Sequence, residues 1–385
     1  MLEKLKKTDW FLLFILVVFM VLGTVVVHSA TANASGYANT DVKNLINYGI
    51  GFVVCVGAMF LDYRLLVKGA LYLYLFGIGL LVAVYLVGDE LHGSRSWFTL
   101  PAGFNFQPAE LMKLIVIIAL AAYIGRRLGD PLRFWKDVIP IAFFVFVPTA
   151  LIIIQPDLGN AIIFIVILLV MYWIGNIKYT QVLIGGAIIV GGIALFFYLF
   201  QLYYSPMVDY LKANDMDKWV HRLDRINTFM DPESASADAK YQVDNSIRAI
   251  GSGSLFGEGF KQGDSVQKGF IPYPYSDSIF VVVGEEFGFI GASLLLLLYF
   301  LLIYRMIYIA IQTTDRVGAF IIVGIVSMYV FQVFENIGML IGIMPLTGIT
   351  LPFVSYGGSS LLINMLSIGL VMSIHVHQEK PNLYG

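Results

Sequence analysis

Residues 270–300 read FIPYPYSDSIFVVVGEEFGFIGASLLLLLYF. The apolar run that begins near Asp277 has the length and composition of a membrane span, for which about 20 residues suffice. Three acids interrupt it, and an ionised carboxylate is costly in hydrocarbon. Asp277 stands where the run begins. It reads either as an ordinary acid capping the span, with Ser276 and Ser278 sharing that work, or as a general base at the outer membrane surface beside a loop stiffened by Pro272 and Pro274. Glu285 and Glu286 fall roughly 12 Å deeper at helical rise, and adjacent helical residues point about 100° apart. The two glutamates therefore cannot share one small site. Gly284 and Gly288 flank them as G-x-x-x-G, which allows close helix packing. The expectation is one glutamate on a cavity and the other satisfied within helix packing.

The remainder of the 385-residue chain is of the same kind: 58% hydrophobic, 13% charged, with a mean hydropathy of +0.81. That composition describes an integral membrane protein with several spans. The 24 Lys and Arg against 26 Asp and Glu give no basis for binding nucleic acid. Cys55, the sole cysteine, excludes an intramolecular disulfide and a Cys-based metal cluster. MLEKLKKTDW followed by FLLFILVVFMVLGTVVV imitates a signal peptide, but its apolar core is long enough to be a retained first span.

Apolar runs fall at about 10–29, 44–62, 69–87, 108–125, 137–155, 158–174, 180–203, 277–304, 318–340 and 358–376. The expected fold is an all-α integral membrane protein, one polytopic domain over 1–385 with ten transmembrane helices. Lys4, Lys6, Lys7, Arg64, Lys68, Arg126, Arg127, Arg133, Lys136, Lys178, Arg305, Arg316 and Lys380 then share one side, which the positive-inside rule makes cytoplasmic, with both termini. Two outer segments are longer. GDELHGSRSWFTLPAGFNFQPAE (88–110) suits a loop folded against the membrane. Residues 204–276 form a large extracellular loop between spans seven and eight. Within it VDYLKANDMDKWVHRLDRI suits an interfacial helix, DPESASADAKY a polar connector and GSGSLFGEGFKQGD a Gly-rich coil. No internal repeat of the transporter kind is visible.

Three further stretches carry polar groups. In NFQPAELMKLIVI (105–117), Glu110 and Lys113 are i and i+3 on the first turn of a span and can pair. Such a pair either neutralises itself or presents a cation to a pyrophosphate. In IIIQPDLGNAIIF, Asp157 sits in a turn between two spans, where a turn acid and helix cap is the ordinary reading. In FENIGMLIGIMPLTGITLPFVSYGGSSLLINML, Glu335 and Asn336 lie inside span nine, and a Pro/Gly-broken re-entrant passage follows. Irregular backbone at that depth must be covered by protein or line a cavity. Its end, Ser355 through Ser360 and including Ser359, either offers N–H and hydroxyl groups to a phosphate or only makes the turn.

Together FNFQPAELMKL, QPDLGNAIIF, IRAIGSGSLFGEGF, YPYSDSIFVVVGEEFGFIG and PLTGITLPFVSYGGSS closely resemble, in order, the SEDS family (shape, elongation, division and sporulation), which includes RodA and FtsW. The resemblance implies a peptidoglycan glycosyltransferase polymerising lipid II at the outer face of the bacterial cytoplasmic membrane during cell elongation. It also implies a class B penicillin-binding protein as transpeptidase partner, alongside other elongation or division machinery. Asp277 matches the essential acid of the family's TDFIF motif, here SDSIF. Glu110 and Lys113 match its E-x-x-K pair, and Asp157 its PDLG acid. Arg248, before AIGSG, occupies a commonly uncharged place. The near-absence of cytoplasmic tails favours the RodA branch.

An α-linked donor giving a β-1,4 product implies inversion by one displacement, with a base on the acceptor side. A pyrophosphate leaves without protonation once its charge is screened, so one base plus cations suffices. Asp277 is the expected base. Lys113, with Arg95 or Arg248, would stabilise pyrophosphate, and Glu110 would hold Lys113. A divalent cation is compatible with this chemistry, though no motif demonstrates one. The rival readings are a lipid II flippase, to which the acids Glu285, Glu286 and Glu335 would suit proton coupling, and a non-catalytic scaffold for the penicillin-binding partner.

Overall fold

In the computed structural model the described residues are 4, 6–33, 39–91, 94–100, 104–127, 129–214, 220, 223, 227 and 237–378. Asp9 opens the first helix, α1 (Trp10–Ala30): its Oδ1 accepts from the Leu12 N–H at 3.0 Å, satisfying one of the end donors every helix leaves over. α2 (Thr40–Phe60), the short α3 (Tyr63–Lys68) and α4 (Ala70–Val87) follow. α5 (Pro108–Gly125) starts with proline where no N–H is needed. A π-helical turn at Phe134–Val138 leads into α6 (Ile139–Ile154), then come α7 (Leu158–Ile174) and α8 (Tyr179–Ala213). After α9 (Ala237–Ser252) and the one-turn α10 (Asp264–Gln267), the chain closes with α11 (Ile279–Gln312), α12 (Arg316–Leu340) and α13 (Gly358–Val376). Among the described residues nine helices are long and apolar enough to cross a membrane, the one containing α6 counted with its π turn; α7 is a shorter apolar helix. These ten match the ten expected runs.

α5 is the buried centre, packed by α4, α6, α7, α12 and α13, while α13 also lies along α2. α8 is the opposite case, with none of its apolar window buried. Lys4 Nζ meets His377 Nε2 at 2.7 Å, and Arg305 near the end of α11 bonds Asp9 at 2.7 Å. The two ends of the described chain thus lie on one face, here the basic face; residue 380 lies outside the described residues.

Three outer features differ from the sequence reading. The 88–110 segment carries a small antiparallel sheet, β1 (Asp89–Leu91), β2 (Ser94–Leu100) and β3 (Phe104–Phe106), in that order. Its aromatic and β-branched residues fit a pleated surface. The Thr99 N–H donates to Asp89 Oδ2 at 3.1 Å, and hydrogen bonds from Thr99 hold that carboxyl below its ordinary range. Next, α8 runs on to Ala213 and absorbs the start of the expected interfacial helix. Most of the rest of that stretch, with Lys218, Arg222 and Arg225, lies outside the described residues. α9 begins at Ala237, inside what reads as a polar connector.

The Gly-rich segment after α9 is the third difference. α11 is broken at Gly288 (φ 63°, ψ −161°), a conformation essentially reserved for glycine. The break frees backbone groups, and the Gly-rich segment takes them. Glu258 N–H donates to Glu285 O at 2.9 Å and Gly259 N–H to Glu286 O at 3.1 Å. Phe289 N–H donates to Ser254 O at 2.9 Å and Ile290 N–H to Leu255 O at 3.1 Å. The expected close packing at G-x-x-x-G is real, but its partners are α9, through Ile250 against Gly284, and the Gly-rich segment against Gly288. Gly288→Ala is expected to cost about 1–3 kcal/mol through backbone strain, read as a lower thermal midpoint in detergent. An unchanged midpoint would contradict the break as a required feature.

The passage between α12 and α13 re-enters the bundle as its Pro/Gly content suggests. The Tyr48 hydroxyl donates to Phe353 O and, at 3.1 Å, to Phe19 O in the middle of α1. The Tyr299 hydroxyl donates to Pro352 O. Side chains of two spans, α2 and α11, therefore supply donors that water cannot.

Candidate active site

The first turn of α5 brings Lys113 Nζ to Glu110 Oε1 at 2.8 Å, with side-chain exposures of 0% and 5%. Glu110 Oε2 is buried and has no hydrogen-bond partner among the described residues. Asp157 caps α7: its Oδ1 accepts from Asn160 N–H at 3.1 Å, and its Oδ2 from Asn160 Nδ2 at 2.8 Å and Gln107 Nε2 at 2.9 Å. Burial pushes this carboxyl above the usual range, opposed by the Asn160 bonds and the charge of Lys113. The Gln107 N–H donates to Ser359 Oγ at 3.0 Å, so the residue before α5 ties together the starts of α7 and α13.

α12 faces this cluster with two consecutive polar residues. Glu335 is wholly buried; the Thr347 side chain is its hydrogen-bonding neighbour, and the charged groups acting on it are Lys113 and Asp157. Asn336 points elsewhere, as neighbouring helical residues must. Its Nδ2 donates to Asp277 O at 2.8 Å and to Ile349 O at 2.6 Å. One amide thereby fixes the turn before α11 against the re-entrant passage. Ser355 Oγ adds a second tie, donating to Ser276 O at 2.6 Å and accepting from Leu351 N–H at 2.8 Å. Tyr356 N–H donates to Tyr275 O at 2.9 Å. The Asp277 carboxyl, half-buried, passes over Gly348, where an added Cβ would stand 3.7 Å from Oδ2.

The family model described as FTSW_RODA_SPOVE, cell cycle protein, matches residues 8–380. The chain belongs to this FtsW/RodA/SpoVE family. Over 379 residues it is 34% identical to stage V sporulation protein E of Bacillus subtilis (strain 168), covering 96% of this chain and 98% of the relative. Over 381 residues it is 34% identical to the peptidoglycan glycosyltransferase MrdB of Escherichia coli (strain K12), covering 97% of each. Among solved structures it resembles the rod shape determining protein RodA of Thermus thermophilus. There the TM-score is 0.68 at 27% identity, over 97% of this chain and 98% of that one. It also resembles a chain of a peptidoglycan synthase complex described as coordinating polymerization and crosslinking. That match has a TM-score of 0.76 at 29% identity, over 96% of this chain and 97% of that one.

In this family member the structure gathers Glu110, Lys113, Asp157, Glu335 and Ser359 around one buried cluster, with Asp277 linked to it through Asn336. It does not bring in every sequence candidate. Arg95 stands exposed on β2 opposite Glu90, and Arg248 is exposed on α9. Lys113 is the cation inside the cluster. The Ser355 and Ser359 oxygens already bond protein groups, which gives both a structural task.

Glu285 and Glu286 correct the depth assignment. Glu285 accepts from Ser265 N–H at 2.7 Å and Val266 N–H at 3.0 Å. Glu286 accepts from Ser29 Oγ at 2.6 and 2.7 Å and from Gln267 Nε2 at 3.2 Å. Ser29 is the penultimate residue of α1, so Glu286 lies at the outer end of that span and not deep in hydrocarbon. Both carboxylates are satisfied by protein, and the expected split between cavity and packing does not hold. Asp277 is the acid tied to the passage that reaches mid-membrane. Among the described residues no group of three or more His, Cys, Asp or Glu side chains is arranged to hold a metal ion. Gln107, Asn160 and Gly348 were not singled out from sequence; the polar pair flanking the Pro108 and Pro156 turns was the available signal.

Proposed function

We propose that this chain is a peptidoglycan glycosyltransferase that polymerises lipid II by inverting displacement, with Asp277 as general base. The observation that carries the assignment is the double hydrogen bond of Asn336, which holds the Asp277 turn against the re-entrant passage beside the buried Lys113 cluster. By the positive-inside rule the basic face is cytoplasmic, and Asp277 then belongs to the outer half of the cytoplasmic membrane. The 4-hydroxyl of one lipid II molecule gives its proton to Asp277 as its oxygen bonds the anomeric carbon of the other. The bond from that carbon to the undecaprenyl pyrophosphate breaks, and its electron pair leaves on the phosphate oxygen. Lys113, fixed by Glu110, is preorganised to offset the charge developing there.

The likeness to a chain of a peptidoglycan synthase complex supports a transpeptidase partner, read here as a class B penicillin-binding protein, and a role in cell elongation. A proton-coupled flippase draws less support, because two of its three candidate acids are engaged by protein groups, Glu286 by Ser29 of α1 and Glu285 by the Ser265 and Val266 N–H groups. Proteoliposomes carrying lipid II separate the readings. Glycan strands, with the partner or without it, are the expected outcome; translocation of lipid II without polymer would support the flippase instead.

A further inference from the structure

Just before Asp277 the chain reads PYPY, and the two tyrosines do not pack as isolated side chains. The rings of Tyr273 and Tyr275 lie 6.5 Å apart at 81°, and those of Tyr275 and Tyr356 lie 6.2 Å apart at 69°. The row runs from Tyr273, 43% exposed, to Tyr275 and Tyr356, which rest partly on the core. The Tyr356–Tyr275 backbone bond and the Ser355–Ser276 bond pin it to the turn that bears Asp277. Tyr273 is held at φ 48°, a left-handed conformation unusual for a bulky residue, between two prolines that fix the backbone on either side. Strain of that kind persists where the surroundings over-determine a position. Three rigid aromatic faces, each with a hydroxyl, therefore lead away from the proposed base toward open surface.

Pyranose rings have polar rims and apolar C–H faces, and a tyrosine matches both: the ring packs on the face and the hydroxyl bonds the rim. We propose that Tyr273, Tyr275 and Tyr356 form a stacking platform for the N-acetylated sugar rings that lie beside Asp277, so that the glycan stays in register between successive additions. This rests on the reading of the chain as a lipid II polymerase. Aromatic residues also anchor proteins at the membrane–water boundary, and that role predicts no dependence of glycan binding on these rings. The prolines restrict the backbone in advance, so less order has to be imposed when a saccharide arrives.

The test has two arms on the purified full chain. In the first, a peptide-free tetrasaccharide of alternating N-acetylglucosamine and N-acetylmuramic acid is titrated onto the Asp277→Asn protein. Tyr273→Ala and Tyr275→Ala should each weaken its binding by about tenfold, the scale of one lost stacking contact, while Tyr273→Phe keeps most of it. In the second, strands made from lipid II by the otherwise wild-type protein should shorten in the alanine variants and stay near normal length in the phenylalanine variant. Unaltered binding in both alanine variants overturns the platform, whatever happens to strand length. Tyrosine-dependent binding in the first arm, with no strands made by the wild-type protein in the second, leaves the platform standing and removes the polymerase reading.

Discussion

Asp277→Asn is expected to abolish detectable polymerisation of purified lipid II, a loss of about 10²–10⁴-fold if only general-base assistance disappears. The substitution is close to isosteric, and three bonds that hold this turn use backbone carbonyls. Asn336 grips the Asp277 backbone carbonyl, Ser355 grips that of Ser276, and Tyr356 that of Tyr275. Thermal midpoint and membrane insertion should therefore match the parent protein. Near-normal turnover by the asparagine variant would sink the base assignment, and a fall in abundance parallel to the fall in rate would make the residue structural.

The second large effect concerns the buried ion pair of α5. Lys113→Met leaves Glu110 without its one hydrogen-bonded side-chain partner among the described residues, at 5% side-chain exposure, beside Asp157 and Glu335. Breaking a buried pair from one side costs about 3–5 kcal/mol, whereas replacing both partners by uncharged groups is often neutral. The double variant Glu110→Gln, Lys113→Met should thus recover most of the lost thermal midpoint. It should not recover turnover, because the cation proposed to offset the leaving pyrophosphate is absent. Recovery of midpoint and turnover together would reduce the pair to a structural feature, and recovery of neither would show that Glu110 has another obligatory donor.

The spans were legible because hydrocarbon imposes a simple rule on composition, and the pairing of Glu110 with Lys113 because three residues of helix bring them to one face. The polar cluster was legible only as separate motifs. Asn336 was visible in span nine, but nothing local shows that its amide reaches Asp277 and Ile349, 59 and 13 residues away. The depth of Glu285 and Glu286 was misjudged for a definite reason. Counting helical rise from Asp277 assumes one straight span, whereas α11 starts at Ile279 and breaks at Gly288. The glycine spacing was noticed, yet a G-x-x-x-G motif does not announce whether its partner is another span or, as here, a Gly-rich segment of the preceding loop. The small sheet escaped notice because strands of three and seven residues leave little periodicity to read.

The most direct test of inverting polymerisation is the linkage in the product. Lipid II is incubated with the purified chain, with and without the proposed transpeptidase partner, and the product is digested with a muramidase specific for β-1,4 bonds. The account predicts strands degraded completely to disaccharides, with one undecaprenyl pyrophosphate released per linkage formed. Muramidase-resistant polymer, or lipid II consumed without any strand, would contradict it.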